Sequence, residues 1–313
     1  MPDMNAYLPD ARRHMPTALP TRTERIEWQA SVPFNPRHGD RYHSSSGARA
    51  QAEHVFLDGC GLRARWQDMT PDNRPGLLPG AAAHGHTLIL ETGFGLGLNF
   101  LSTWACWEVS PRRPGRLTFL STEAYPVSAD DIRRAAAHDP VLQPLGERLA
   151  AAWPLHEHDP PVSGSTAEGD PCLLPRQTSA HLASGTVQGE GSACPHISID
   201  LDQPEGRIEL RVLLGDAHQS LRAWHHHHGP LGAQAVFLDG FNPATNPEIW
   251  SADTLKAVAA HCCPGARLAT WCVARCVRDA VQAAGFTPSR RPGLPPKRHC
   301  LTGELPGAPG QHR

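Results

Sequence analysis

Short apolar runs alternate with amphipathic stretches through most of this chain. Thr87-Leu88-Ile89-Leu90 lies between Gly85 and the glycines at 93, 95 and 97, the pattern of a buried strand, and Leu98 to Val109 continues with helical spacing. Leu117 to Leu120 predicts a second strand. Ser128 to His138 predicts a helix, with Ser128 as its cap and Asp131 at the capping-box position. A third helix is predicted over Val141 to Trp153. His196 to Leu201 and Arg207 to Leu214 flank a Pro-Glu-Gly turn and predict a hairpin. Then follow strand Ala235 to Leu238, helix Ala252 to His261, strand Arg267 to Trp271 and helix Arg275 to Ala284, which stops at Gly285. Strands alternating with helices imply an α/β fold, a doubly wound, mainly parallel sheet covered on both faces.

The flanks read differently. Residues 1–25 predict a flexible tail, and 26–86 a β-rich N-terminal extension. In that extension His54-Val55-Phe56-Leu57, ending at Asp58-Gly59, is the clearest strand-and-turn signal, and a proline-rich loop follows over 67–86. The main domain then occupies 87–305 and a short tail 306–313. Within the domain, 157–193 is rich in Ser, Gly, Thr, Pro and Ala with few large apolar side chains, and reads as a low-complexity insertion.

Composition narrows the function classes. Of 313 residues, 29 are Lys or Arg and 31 are Asp or Glu, a formal net charge of -2, which argues against a protein that coats nucleic acid through charge alone. No apolar run is long enough to span a bilayer, and the N-terminus lacks the apolar core of a secretory signal. The nine cysteines therefore read as reduced thiols in a cytoplasmic protein. His225 to His228 reads as a solvated helix end or loop rather than a metal site. His261-Cys262-Cys263 and His299-Cys300 lack the spacing of zinc ligands, so no metal is expected, and Cys272 and Cys276 are spaced as if on one helix face. Trp104 and Trp107 read as core. Arg63, Arg65, Arg275 and Arg278 are available to phosphates but are equally ordinary surface residues.

The chemistry concentrates at strand ends. Gly93, Gly95 and Gly97 stand between a strand and a helix, where missing β-carbons let the backbone turn sharply and approach a ligand. The spacing is G-x-G-x-G rather than the G-x-G-x-x-G of a dinucleotide fold, which favours S-adenosylmethionine over a nicotinamide cofactor. Glu123, past the second strand, is placed to accept hydrogen bonds from ribose hydroxyls. Asp216 is placed to meet an adenine amino group, and Asp239 ends the next strand beside Phe241.

Two segments carry a resemblance to a known family: Glu91-Thr92-Gly93-Phe94-Gly95-Leu96-Gly97-Leu98-Asn99-Phe100, and Phe237-Leu238-Asp239-Gly240-Phe241-Asn242-Pro243-Ala244-Thr245-Asn246-Pro247-Glu248-Ile249-Trp250. With Val55 to Gly59, Arg65-Trp66, Leu268 to Thr270 and Ala283 to Phe286, they resemble the methyltransferase module of the bacterial tRNA 5-methylaminomethyl-2-thiouridine biosynthesis proteins. The resemblance implies a Rossmann-like S-adenosylmethionine-dependent enzyme that methylates the amine of 5-aminomethyl-2-thiouridine at the tRNA wobble position. It implies Asp239 and Phe241 as catalytic, with Glu91, Gly93, Phe94, Gly95, Gly97, Asn99, Glu123 and Asp216 around the cofactor. Lys297 and Arg298 would face the RNA. Its implied partners are a tRNA anticodon stem-loop and a separate flavin oxidoreductase acting on the same nucleoside. No second glycine fingerprint occurs, so no flavin is expected in this chain. Two segments depart from the family: Trp271-Cys272-Val273-Ala274-Arg275-Cys276, and Gly293-Leu294-Pro295-Pro296-Lys297-Arg298-His299, which lacks a family glycine and acid. The alternatives are a catalytically impaired RNA-binding relative and a nicotinamide-dependent oxidoreductase.

Overall fold

The structure is a computed structural model. It describes residues 23–29, 32–43, 47–67, 85–111, 113–155, 186–188, 194–203 and 206–307. Most of the expected tails, most of the 67–86 loop and the 157–193 insertion apart from 186–188 lie outside the described residues.

Three short strands come first, β1 (Glu27–Gln29), β2 (Val32–Asn35) and β3 (Asp40–Arg41), paired antiparallel in a small sheet of their own. Helix α1 (Ala48–Gln51) then runs directly into a π-helical segment, Ala52–Leu57, and after a turn comes α2 (Leu62–Gln67). The strand expected at His54 to Leu57 is thus helical. A run of consecutive apolar residues does not distinguish a buried strand from a buried helix by periodicity. Tertiary packing decides it here: Phe56 lies fully buried with its ring 5.1 Å from that of Phe237 on the main sheet. Gly59 is obligatory in this corner, because a β-carbon there would stand 2.0 Å from the Val55 carbonyl oxygen.

The domain proper carries β4 (His86–Glu91), α3 (Leu98–Val109), β5 (Arg116–Glu123), α4 (Ala129–Ala136), α5 (Leu142–Ala152), β6 (Thr186–Gln188), β7 (His196–Gln203), β8 (Gly206–Leu214), α6 (Ala217–His228), β9 (Ala233–Phe237), α7 (Ala252–Ala260), β10 (Cys262–Thr270), α8 (Arg275–Ala283), β11 (Thr287–Pro292) and β12 (His299–Glu304). Their spatial order in one nine-stranded sheet is β11-β12-β10-β9-β4-β5-β8-β7-β6. The five central strands, β10, β9, β4, β5 and β8, are mutually parallel, and both edges are antiparallel.

Alternation along the strands feeds two cores. Ile89, Phe119 and Phe237 point into the core under α3, α4, α5 and the π-helical segment, whereas Leu88, Leu90, Leu120 and Val236 point into the core under α6, α7 and α8. Strands buried on both faces read as unbroken apolar runs. Ser128 caps α4 by accepting the Asp131 amide, and Trp104 and Trp107 are fully buried, both as expected. The four histidines at 225–228 form the exposed last turn of α6. Cys272 and Cys276 do not share a helix face. Cys272 precedes α8, its amide bonded to Thr270, and is buried, while Cys276 is exposed on the helix. Among the described residues no group of three or more His, Cys, Asp or Glu could hold a metal ion. No helix among them is long and apolar enough to cross a membrane.

Candidate active site

From β4 the chain winds one way, through β5 to β8, then returns to build β9 and β10 on the other side. The loops after β4 and β9 therefore diverge at the carboxyl ends of adjacent parallel strands, the place where doubly wound sheets leave a crevice. A cavity of about 330 Å³ lies there.

Its floor is the glycine turn. Thr92 ties the two loops together, its hydroxyl donating to the Asp239 carbonyl at 2.8 Å and accepting the Asp239 amide at 3.1 Å. This clamp brings Gly93 so near that a β-carbon on it would lie 3.2 Å from that carbonyl oxygen. Gly95 and Gly97 have φ of 53° and 72°, the left-handed region that favours glycine. Gly97 is the N-cap of α3. Gly95 donates its amide to Glu123 at 2.7 Å, and Glu123 also accepts the Tyr125 amide at 2.9 Å. Loss of water around this carboxyl raises its pKa to about 7, against its backbone amide donors. The Ala124 amide is a third donor to it, and since a carboxylate has about four acceptor positions, Glu123 keeps room for about one further donor.

Asp239 is the most heavily bonded group in the site. Its Oδ1 accepts from the Gly240 amide at 2.9 Å and from the Trp271 indole nitrogen at 2.8 Å, and its Oδ2 accepts from Asn99 at 2.8 Å. Asn99 donates with the same nitrogen to Glu91 at 2.9 Å, and Ser121 holds the other Glu91 oxygen at 2.7 Å. Burial pushes both carboxyls upward in pKa, Glu91 most, while these donors pull the other way. Burial likewise lowers the pKa of Lys297, whose ammonium sits 3.3 Å from the centre of the Trp271 ring.

The small N-terminal sheet closes the opposite wall. The Asn242 amide donates to Asp40, His38 stacks on Phe241 with ring centres 4.6 Å apart, and Tyr42 meets the same ring edge-on at 5.0 Å. Arg37 lies over Tyr125 at 3.9 Å.

Of the residues singled out from sequence, Gly93, Phe94, Gly95, Asn99, Glu123, Asp216, Asp239, Phe241 and Lys297 line the cavity. Glu91 and Gly97 do not. Glu91 faces inward between Ser121 and Asn99, fully buried, and reaches the cavity only through Asn99; Gly97 packs under the Phe94 ring. Asp216 caps α6 through the Gln219 amide, which leaves its second oxygen free of that bond. Arg298 lies outside the cavity, in a neighbouring groove of about 680 Å³ that shares Trp271 and Lys297 with it. Arg63 binds Asp58, and Arg275 and Arg278 pair with Asp279. Sequence reasoning missed Asp40, His38 and Tyr42, whose contacts join residues about 200 positions apart with no local signal. Trp271 was reachable, since it follows the strand beside that of Asp239 and the same strand-end reasoning applies.

The cavity suits an adenosyl sulfonium. A β-carbon at Gly93 would crowd the Asp239 backbone, and one at Gly95 would stand 3.3 Å from the Tyr42 ring, so the cradle depends on their absence.

Comparison with known proteins agrees. Residues 191–306 match the model of a family described as S-adenosyl-L-methionine-dependent methyltransferase. The tRNA 5-methylaminomethyl-2-thiouridine biosynthesis bifunctional protein MnmC of Delftia acidovorans is 41% identical over 280 residues, 89% of this chain and 34% of that protein. The protein of the same name from Polaromonas naphthalenivorans is 40% identical over 288 residues, 90% of this chain and 36% of that protein. The chain thus spans about a third of the length of the curated relatives it matches. In fold it is similar to the crystal structure of MNMC2 from Aquifex aeolicus, with a TM-score of 0.55, 20% identity, and coverage of 92% of this chain and 71% of that one. The sheet order, the glycine turn at its switch point and these relatives give the chain the fold of an S-adenosyl-L-methionine-dependent methyltransferase, similar to the methyltransferase module of the MnmC proteins.

Proposed function

We propose that this chain methylates the exocyclic amine of 5-aminomethyl-2-thiouridine at the wobble position of tRNA, giving 5-methylaminomethyl-2-thiouridine. The observation that carries the reading is the convergence on one cavity of the glycine turn, Glu123 and a carboxylate, Asp239, fixed by three donors within an aromatic wall. Bound S-adenosylmethionine supplies an electrophilic methyl group, so the protein's task is alignment, exclusion of water and control of one nitrogen's charge.

Gly93, Gly95 and Phe94 shape the donor's seat, Glu123 accepts from its ribose, and Asp216 accepts from its adenine amino group. Asn99 acts on the reaction by orienting Asp239. Asp239 accepts an N–H of the incoming amine and stabilises the positive charge that the nitrogen acquires. Phe241, held by His38 and Tyr42, packs against the base. Arg298 and Lys297 rim the groove by which an anticodon loop reaches the cavity. The work takes place in the cytoplasm, where a flavin-dependent oxidoreductase activity generates the primary amine on the same nucleoside.

The test is direct. Purified protein with donor and tRNA bearing 5-aminomethyl-2-thiouridine should add one methyl group to that nucleoside by mass spectrometry. Cells lacking the protein should accumulate the unmethylated form. Donor binding without methyl transfer to this nucleoside overturns the reading.

A further inference from the structure

A carboxylate that grips an amine also stabilises its ammonium form, and an ammonium has no lone pair with which to attack. If Asp239 holds the substrate nitrogen, the site needs an opposing charge. Lys297 stands where that charge is required. The residue as a whole is exposed, yet its ammonium rests on the face of Trp271, whose indole nitrogen is bonded to Asp239. Lys297 and Trp271 line both the cavity and the adjoining groove, so an amine passing between the two meets this cation. Lys297 and Asp239 attract one another across the site, and the three donors already on the carboxylate leave it an acceptor position for a second nitrogen.

The local geometry holds the lysine in place. The Lys297 amide donates to Leu294 at 2.9 Å, and the Gly293 amide donates to the Arg298 carbonyl at 2.9 Å. A β-carbon on Gly293 would fall 2.5 Å from the Lys297 carbonyl oxygen and 2.8 Å from the His299 amide. Only glycine permits this tight turn. The charged and titratable groups acting on Lys297 are Asp239 after β9, Asp40 of β3 and Cys272 after β10, all favouring its cation against the effect of burial; Arg298 and His299 flank it in the chain.

We propose that Lys297 is a resident cation that compels the substrate amine to bind neutral, an inference that rests on the amine-methylating reading above. Two ammonium groups do not fit side by side against one carboxylate. On binding, one N–H bond of the substrate ammonium breaks and its proton passes to solvent, while Lys297 keeps its own on the Trp271 face. The nitrogen then presents its lone pair while Asp239 still accepts one of its remaining N–H groups.

The experiment compares a stem-loop carrying 5-aminomethyl-2-thiouridine with one carrying plain 2-thiouridine, so that phosphate contacts cancel. Binding is measured by calorimetry at neutral pH, without methyl donor, in buffers of different ionisation enthalpy. Wild type and Lys297→Arg should each release about one more proton with the amine-bearing RNA, and Lys297→Met none. Turnover of Lys297→Met at pH 7 should fall about 10²-fold and recover about tenfold per pH unit as solvent takes over the deprotonation. Lys297→Arg should retain most of its turnover. Equal proton release by wild type and Lys297→Met overturns the proposal, as does a Lys297→Met turnover that tracks wild type at every pH. Should Lys297→Met not fold, Lys297→Gln replaces it under the same criteria. Wild type that leaves the amine unmethylated overturns the parent reading instead, so the two failures are distinguishable.

Discussion

Replacing Asp239 by Asn removes one charge and almost no volume. In the wild type Oδ1 accepts from the Gly240 amide and the Trp271 indole, and Oδ2 from Asn99. An asparagine oxygen in the Oδ1 place keeps the first two bonds, but its NH2 then faces the Asn99 amide nitrogen, donor against donor. Asn99 can rotate its amide by half a turn, and its oxygen then meets Glu91. Burial raises the Glu91 pKa, so this carboxyl can carry the proton that the new arrangement needs. The fold should therefore survive with a loss of about 1 kcal/mol, the scale of one ordinary hydrogen bond. The catalytic cost is larger. A full positive charge about 4 Å from the lost carboxylate, at an effective dielectric constant of about 20, forfeits about 4 kcal/mol. At about 1.4 kcal/mol per decade that is about 10³-fold, and a partial charge in the transition state lowers it towards 10²-fold. The assay is single-turnover transfer of a labelled methyl group to the amine-bearing stem-loop, with donor affinity measured separately by calorimetry. Turnover down by 10² to 10³ with donor affinity within about threefold is expected. An Asp239→Asn protein within threefold of wild-type turnover refutes the assignment.

Other outcomes follow from particular contacts. Glu123 has a pKa raised to about 7; if it binds the donor's ribose as proposed, the hydroxyls bond its ionised form, so donor affinity should be flat above pH 7 and weaken towards tenfold per unit below it. Calorimetric titrations from pH 5.5 to 8 check this, and Glu123→Gln should abolish the slope. Gly95→Val strains a left-handed residue by about 1–2 kcal/mol and drives a side chain towards Tyr42, so donor affinity should fall at least tenfold; unchanged affinity would show that the turn does not hold the donor. Gly146 lies where a β-carbon would stand 2.4 Å from that of Ala136, at the crossing of α4 and α5. Gly146→Val should cost about 1–3 kcal/mol and lower the melting temperature in a calorimetric scan, leaving activity below that temperature intact, and an unchanged melting point would refute the packing.

Much of the sheet was readable from the chain because its information is local. Leu88 to Leu90, Leu117 to Leu120 and Ala235 to Phe237 are strands buried on both faces, so each announces itself as an apolar run between breakers, interrupted only at Thr118. Ser128 with Asp131 marks the start of α4, and Gly285 the end of α8, through bonds and dihedral angles spanning only a few residues. The same locality exposed the glycine turn and the acids at 123, 216 and 239, since each follows its own strand directly. Sequence alone thus determined the fold class and pointed to most of the strand-end residues that meet at the cavity.

Tertiary structure decided what pairs with what. Val55-Phe56-Leu57 became π-helical because the underside of the sheet at Phe237 offered a surface for Phe56, a fact absent from residues 52–57 themselves. Glu91 left the cofactor set because it faces inward to Ser121 on the neighbouring strand, and only the sheet order makes those two strands neighbours. Asp40, Tyr42 and Trp271 entered the site through bonds to residues far along the chain, fixed by the way β3 and β10 converge on the loop after β9. Local interactions write elements into the sequence, whereas a site assembled across the chain exists only once loop-closure entropy has been overcome and its distant parts are packed together.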